Sequence, residues 1–249
     1  MFGRSLSRGL LTAAMAAIAG FAGASGLQVA PVGLEFRPSN SAQGLWLTNT
    51  GSEPLHAQVR VFHWTQVDGK DELSPTQALV ASPPMLALAP GAQQMIRVIR
   101  LGSADNGNAE DAYRLLVDEL PEPAAQQQTG VRYVLRYSVP VFVQPASMPD
   151  PAAIASALQW SLIRGGAVVT LQVHNSGVAH AQLSDVVLSP PAGAPTTVST
   201  GLLGYVLPGM TMRWSLKISG AQLPPGTQLK AAINGKPVEQ TLAVGDLPR

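Results

Sequence analysis

Short runs of apolar residues with a period of two, separated by turn-forming residues, dominate the sequence after residue 25. Such alternation, enriched in β-branched and aromatic side chains, is typical of β-strands. Glycine, proline, asparagine and aspartate fall between the runs, as in Asp68-Gly69 and Asn234-Gly235. Because no later window of 12 residues has helical periodicity with caps, the sequence predicts an all-β fold. The clearest runs are Leu45–Asn49, Ala57–Trp64, Met95–Leu101, Tyr113–Asp118, Val131–Tyr137, Val168–His174 and Ala181–Leu188.

A proline-rich segment divides the strand series into two parts. Gln144–Pro151 contains three prolines in eight residues, and proline cannot continue a central strand. The parts on either side have the size of immunoglobulin-like domains. We therefore predict two immunoglobulin-like β-sandwich domains, residues 25–145 and 152–249, joined by the linker 146–151. A weak internal similarity, Leu45–Ser52 against Val169–Gly177, does not by itself establish a repeat.

The first 24 residues have the features of a secretory signal peptide. Arg4 and Arg8 precede the uncharged stretch Leu10–Ala22, and Ala22-Gly23-Ala24 fits the A-x-A cleavage pattern. A buried N-terminal helix is the alternative interpretation. An exported chain with no cysteine has neither disulfides nor thiol chemistry, so its stability must come from packing and sheet hydrogen bonds.

The charge balance argues against a polyanionic partner. Removing Arg4 and Arg8 from the 16 Lys and Arg leaves 14, against 15 Asp and Glu, and no segment concentrates the basic residues. This composition predicts no nucleic-acid binding. No segment after the leader reaches the roughly 18 uninterrupted apolar residues of a membrane helix, which predicts no membrane insertion of the mature chain.

The sequence contains no recognisable catalytic or metal-binding motif. It lacks G-x-S-x-G, a P-loop and a nucleotide-binding G-x-G-x-x-G, and its adjacent carboxylates would point to opposite faces of a strand. The histidines have no metal-ligand spacing and are expected to be ordinary strand or surface residues: His56, His63, His174 and His180. We predict no enzyme activity, catalytic residue, cofactor or metal.

The segment Val131–Val143 carries the most informative pattern. Its odd-numbered residues form one apolar face, whereas Arg132, Arg136 and Ser138 lie on the other. One interpretation is an ordinary sandwich strand with a core face and a solvent face. The other is an edge strand that adds itself to a second protein, with its alternate side chains filling a groove there.

Four segments, in order along the chain, resemble the periplasmic chaperones of chaperone-usher pilus assembly: Leu27–Val32, Ala81–Val98, Tyr113–Pro121 and Tyr137–Pro145. The resemblance covers residues 27–145 well and the second domain loosely. It implies two immunoglobulin-like domains in a boomerang arrangement and no enzyme activity. It also implies that the last strand of the first domain is lent to an incomplete pilin, which the chaperone delivers to an outer-membrane usher.

The resemblance also assigns site residues by position. The side chains implied to fill the pilin groove are Val131, Tyr133, Leu135 and Tyr137. Glu119 matches the acidic residue of the family near the interdomain junction, but its usual arginine partner is replaced by Gln144. An ion pair between the domains must therefore use other residues.

The usual anchor for the carboxylate of the subunit is absent. The arginine and lysine that hold it in the better-known branch are replaced by Gly33 and Pro140, which makes the chain similar to the archaic branch. A carboxylate in the cleft still needs cationic donors. Arg136, on the same strand face as Pro140, is the first candidate, and Arg114 on the preceding strand is the second. Solvated strand arginines are the alternative for both.

Two other function classes compete with a chaperone. One is a structural or adhesive pilus subunit, which a long N-terminal extension of alternating apolar residues would favour. Only a few residues precede the first strand, which counts against it. A carbohydrate-active enzyme on a β-sandwich would need two carboxylates in a cleft lined by aromatic residues. The sequence shows no such pair.

Overall fold

The structure is a computed structural model that describes residues 26–102, 107–121, 134–165, 168–216, 218 and 223–246. The predicted signal peptide and the predicted groove-filling residues Val131 and Tyr133 lie outside the described residues. The strands of the first part are β1 (Leu27–Ala30), β2 (Leu34–Phe36), β3 (Ala42–Asn49), β4 (Leu55–Val67), β5 (Lys70–Pro75), β6 (Leu79–Ser82), β7 (Met85–Leu88), β8 (Gln93–Arg100), β9 (Asp111–Leu120) and β10 (Arg136–Val143).

The second part of the chain begins with a short helix and continues with strands. These elements are α1 (Pro151–Ser156), β11 (Leu158–Gly165), β12 (Val168–Asn175), β13 (Ala181–Ser189), β14 (Thr196–Thr197), β15 (Leu202–Val206), β16 (Thr211–Leu216), β17 (Gln228–Ile233), β18 (Lys236–Thr241) and β19 (Ala243–Asp246).

The first domain is a sandwich of two sheets. One sheet has the strand order β1-β3-β8-β6, and the other has the order β2-β10-β9-β4-β5 with β7 also paired to β4. Alternate residues of most strands point between the sheets and form one continuous apolar core, in which Phe36, Leu47 and Leu115 are fully buried, whereas β5 is exposed throughout. The predicted alternation thus becomes a core face and an outer face.

The second domain is a separate sandwich with its own core. Its sheets have the orders β16-β12-β11-β19 and β14-β13-β17-β18, with β15 also paired to β13. Leu162, Leu171 and Leu183 are fully buried between them. The prediction of an all-β protein with two sandwich domains is confirmed.

Two hairpins have the turn chemistry that the sequence predicted. Asp68 and Gly69 have φ values of 51° and 76°, and the flanking Val67 and Lys70 pair across the β4–β5 hairpin. Both central residues therefore lie in the left-handed region, as a type I′ turn requires. Asn234-Gly235 joins β17 to β18 in the same way, with φ values of 47° and 74°.

The helix α1 lies where the sequence predicted the end of the linker. Asp150 caps it, because its side-chain oxygen accepts a hydrogen bond of 2.7 Å from the Ala153 N–H, and Pro151 occupies the first turn. The Asp-Pro pair is a helix-start signal, but six residues are too few for a helical period. No helix in the described part of the chain is long and apolar enough to cross a membrane.

Candidate functional site

Strand β10 has one side that is only partly covered. It pairs along its whole length with β9 in antiparallel register, from Arg136 opposite Asp118 to Val143 opposite Asp111. On its other side, β2 pairs in parallel with residues 141–143 alone. Among the described strands, none covers residues 136–140 on that side, and this stretch is called the free edge below.

The hydrogen-bond pattern identifies the backbone groups that point outward from the free edge. The Glu119 N–H donates to the Leu135 carbonyl at 2.9 Å, so Leu135 belongs to a hydrogen-bonded pair with β9. Pairs alternate along an antiparallel ladder. The backbone groups of Tyr137 and Val139 therefore also face β9, whereas those of Arg136 and Ser138 face away from it.

The two faces of the β10 segment differ in character. Leu135 and Tyr137, two of the predicted groove-filling residues, are half-buried against the core of the first domain, and Val139 is buried in it. The Tyr137 hydroxyl donates a hydrogen bond of 2.6 Å to the carbonyl of Leu27 on β1. Tyr137 thus links the free edge of one sheet to the edge strand of the other.

Arg136, the first predicted anchor, is paired within the sheet. Asp118 accepts hydrogen bonds from Arg136 and from Arg60, the latter at 2.7 Å, so one carboxylate joins β4, β9 and β10. Burial alone would raise the pKa of Asp118, but the hydrogen bonds from the two arginines outweigh it and hold this pKa below its usual value. The Arg136 side chain remains 64% exposed.

Arg114, the second predicted anchor, lies opposite Pro140 and has aromatic partners. Its guanidinium is 3.7 Å from the ring centre of Trp64 and 5.2 Å from that of Tyr205, which belongs to the second domain. Burial lowers the pKa of Arg114. Within the described ranges, no carboxylate lies at ion-pair distance from it. Arg114 is therefore a partly desolvated cation that makes no ion pair within the described ranges, although the charge of Asp71 is close enough to counter part of the effect of burial on its pKa.

A cleft of about 610 Å³ lies between the domains at the end of the free edge. Gly33 and Pro140, which replace the usual anchor residues, both line it. Phe142 and Tyr205 contribute aromatic surface, and His180 closes the side of the second domain. The cleft thus continues the surface presented by β10.

The closest polar joint between the domains involves Glu110, which precedes β9. One carboxylate oxygen of Glu110 accepts hydrogen bonds of 2.7 Å from the backbone N–H of His180 and from its ring Nδ1. The Glu110 side chain is 1% exposed, and its backbone N–H donates to the Val178 carbonyl. The His180 ring stacks on Phe142 with centroids 3.6 Å apart. The orientation of the second domain is therefore tied to β10 itself.

The assignment of Glu119 to the interdomain junction is corrected by this geometry. Glu119 lies at the opposite end of β9 from Glu110, about 30 Å away at the rise of a strand, and its carboxylate accepts from the Leu135 N–H. Gln144, in the place of the usual arginine, donates to Glu35. Glu110 and Glu119 lie at opposite ends of β9, so position along the sequence alone did not distinguish them.

A second joint, which sequence reasoning missed, is made by Gln66 near the tip of the β4–β5 hairpin. Its side-chain amide donates to the Tyr205 carbonyl and its oxygen accepts from the Leu207 N–H, both at 2.9 Å. Gly69 at the hairpin tip also forms a β-bridge with Met212. A polar residue at a strand end carries no signal of such a role, because its partners are backbone groups of a distant segment.

No group of three or more His, Cys, Asp or Glu residues in the described ranges could hold a metal ion.

Comparisons with known proteins agree with this geometry. Residues 26–149 match the model of the pili and flagellar-assembly chaperone family, PapD N-terminal domain. No curated protein sequence matches the chain.

Solved structures extend the match over both domains. The chain is similar to the chaperone of the complex between CsuC and CsuE, a chaperone and tip adhesion subunit of archaic chaperone-usher Csu pili of Acinetobacter baumannii. The identity is 25% and the TM-score 0.65, over 89% of this chain and 99% of that chain. The chaperone DraB of E. coli has 21% identity and a TM-score of 0.60, covering 88% and 99% of the two chains.

The CupB2 chaperone of Pseudomonas aeruginosa has the same fold, with 19% identity and a TM-score of 0.58 over 87% and 100% of the two chains. Together with the match to the PapD N-terminal domain and the interdomain cleft, these similarities mean that the chain belongs to the family of pilus assembly chaperones.

Proposed function

We propose that the protein binds pilus subunits in the periplasm by donor-strand complementation and delivers them to an outer-membrane usher. The observation that carries this proposal is the free edge of β10 beside the interdomain cleft. A subunit that lacks one strand exposes an apolar groove and unpaired backbone groups. A donor strand with alternating apolar side chains satisfies both at once.

The side chains of the β10 segment support this role. Leu135 and Tyr137 are half-buried rather than sealed in the core, so part of their apolar surface is available to a partner. The proposed groove-filling set is completed by Val131 and Tyr133, which continue the same face in the sequence. Full burial of an exposed apolar side chain is worth about 1.5–3 kcal/mol, so the half-buried Leu135 and Tyr137 would each contribute less than that to the complex.

Arg114 is the stronger candidate for the carboxylate anchor. A partly desolvated guanidinium that makes no ion pair gains more from a carboxylate than one that is already paired. Arg114 meets this description, whereas Arg136 is hydrogen-bonded to Asp118. Arg114 also lies opposite Pro140, which lines the cleft. We therefore place Arg114 first and Arg136 second.

The periplasmic location and the usher have separate support. The N-terminal segment has the basic residues, apolar stretch and cleavage pattern of a signal peptide. The usher is proposed because the family acts in chaperone-usher assembly. The release of the subunit needs no nucleotide, since exchange for a better-fitting strand supplies the driving force.

A structural or adhesive pilus subunit is not favoured as an alternative. The similarity over both domains is to chaperones, and the CsuC–CsuE structure contains the chaperone and the subunit as separate chains. A second immunoglobulin-like domain that is fixed to the first through Glu110 and Gln66 also fits a chaperone that holds a cleft open.

A periplasmic pull-down of the tagged protein with native mass spectrometry tests the proposal. We expect a 1:1 complex with a small β-rich subunit, which Leu135→Asp abolishes because it places a charge on the groove-filling face. Val134→Asp is the matched control, since Val134 directly precedes Leu135, is 46% exposed and points to the opposite face. A parent protein without a subunit, or equal recovery by both variants, would refute strand donation.

The anchor assignment has its own test in the same assay. Arg114→Gln should lower the subunit affinity about tenfold to a hundredfold, the usual range for loss of a charge-assisted hydrogen bond. Arg136→Gln should have a smaller effect. The opposite ranking would move the anchor to Arg136.

A further inference from the structure

Pro140 lies in the strand that is proposed to be lent to a partner, although proline has no N–H to donate. It is opposite Arg114 in the ladder with β9, five residues after the hydrogen-bonded Leu135. The alternation of pairs therefore directs the nitrogen of Pro140 away from β9, where a proline does not break the ladder. The missing donor thus falls on the outer side of β10, at the point where Gly33, the residue before β2, lies beside Pro140.

Only two N–H groups of β10 remain available to a partner strand before that gap. They belong to Arg136 and Ser138, which have the same parity as Pro140. Beyond the gap, Phe142 pairs with Glu35 of β2, and the Gln144 N–H donates to the Phe36 carbonyl at 2.8 Å. The free edge therefore ends at residue 140, between donors that are free and donors that β2 occupies.

We propose that Pro140 is a register stop, a residue that determines where a partner strand must end. The inference rests on the proposed function, because it concerns the strand that lies beside β10. A strand that slides by two residues toward the cleft would lose a hydrogen bond at position 140. A slip by one residue would move its side chains to the wrong face.

The register stop selects partners by the spacing of their apolar groove. Leu135 and Tyr137 lie five and three residues before Pro140. The pockets of the groove must therefore lie at the same distances from the end of the partner strand. The same apolar surface in another register would leave a charged or polar residue of the partner against these side chains. Pro140 thereby contributes to specificity without contacting a partner side chain.

Amide hydrogen exchange on the complex recovered by pull-down tests the stop. In the parent complex, the amides of Arg136 and Ser138 should exchange at least tenfold more slowly than in the free protein. Pro140→Ala introduces one new amide at position 140. We expect that amide to be protected in the complex and unprotected in the free variant, because the partner strand can then pair as far as residue 140, next to the residues that β2 covers.

Two other results of this experiment would overturn the inference. Equally fast exchange of the new amide in both states would mean that the partner ends there for another reason. Protection already in the free variant would mean that β2, and not a partner, takes this donor. If the parent protein captures no subunit, the proposed function fails, and the register stop fails with it.

Ser138→Pro supplies an independent test by moving the stop two residues along the edge. The Ser138 N–H does not bond β9, so the unfolding midpoint should stay close to that of the parent, while recovery of the subunit falls about threefold to tenfold, the loss of one backbone hydrogen bond. Unchanged recovery would contradict the register stop. Pro75→Ala is the control, because it adds an edge amide on β5, away from the site.

Discussion

The two domains share one arrangement, which we call a corner: a buried asparagine at the end of a strand whose side chain binds three backbone groups. In the first domain, the Asn49 side chain donates to the carbonyls of Glu53 and Leu88 and accepts from the Gly51 N–H. In the second, Asn175 binds Ala179, Val206 and Gly177 in the same pattern, and the four donor bonds measure between 2.8 and 3.0 Å. Both asparagines are fully buried.

The edges of the two domains differ. The edge strand β18 carries Lys236, Pro237 and Glu239, and β19 has only four residues. Charge, proline and short length are devices that protect an edge from pairing. The β10 segment also contains an arginine and a proline, but it keeps the apolar side chains of Leu135 and Tyr137 at and next to its free edge. Shared corners therefore build the scaffold, and the apolar edge distinguishes the domain that is proposed to bind subunits.

The largest expected effect comes from breaking the corners. Asn49→Ala leaves one buried and one partly exposed carbonyl without a donor, and Asn175→Ala leaves two buried ones. Each should lower the free energy of unfolding of its own domain by about 3 kcal/mol, slightly less for Asn49→Ala. Urea unfolding combined with hydrogen exchange resolved by domain measures both. A loss below about 1 kcal/mol in one domain would show that the corners are not equivalent.

The next effect concerns the coupling of the two scaffolds. Glu110→Gln removes the charge that holds the His180 N–H groups and should cost about 2 kcal/mol, because a buried hydrogen bond to a charged group is lost. X-ray scattering should then detect a wider range of interdomain angles. A double-mutant cycle with His180→Ala isolates the pair, and additive losses would rule out the joint.

A smaller effect is expected at the free edge. Tyr137→Phe removes only the hydroxyl that binds the Leu27 carbonyl, which should cost about 1 kcal/mol in the first domain and nothing in the second. Faster exchange of amides in β1 and β10 is the readout. Tyr205→Phe is a control that makes the same substitution in the second domain, where the lost hydroxyl accepts a hydrogen bond from the Gln182 side chain. Equal loosening of β1 by both variants would contradict the assignment.

The smallest effect involves Asp118. Its pKa in the folded protein is below the unfolded value of about 3.9, so its stabilising contribution is present above that pH and is lost as the pH falls through the folded pKa. Because Arg136 is largely exposed and Arg60 is partly exposed, solvent screens both pairs, and Asp118→Asn should cost less than about 1 kcal/mol at pH 7. Parent and variant should converge as the pH falls below the folded pKa of Asp118, and a constant difference would exclude the linkage.

The sequence predicted those features that depend on local patterns. The strands of both domains follow from period-two alternation, and the turn at Asp68-Gly69 follows from its residues. The similarity between Leu45–Ser52 and Val169–Gly177 also corresponds to a real structural feature, the paired asparagine corners. These features depend on residues within a few positions of one another.

Other features could not be predicted, because they depend on contacts between distant segments. The Glu110–His180 joint links residues 70 apart, and Gln66 contacts a segment about twice as far away. The pairing of Arg136 with Asp118 requires the register of β9 against β10, which alternation alone does not determine. Val131 and Tyr133 stay predictions, since they lie outside the described residues.

The segment Tyr205–Leu207 has a consequence for the order of folding. Asn175 holds the Val206 carbonyl from inside the second domain, while Gln66 of the first domain binds the Tyr205 carbonyl and the Leu207 N–H. Tyr205 and Leu207 thus bind the first domain through their backbone, whereas Val206 between them binds within the second. The groups that Gln66 binds are in position only after the corner of the second domain has closed. We therefore expect docking of the domains to follow folding of the C-terminal one, with the cleft as the last part of the molecule to form.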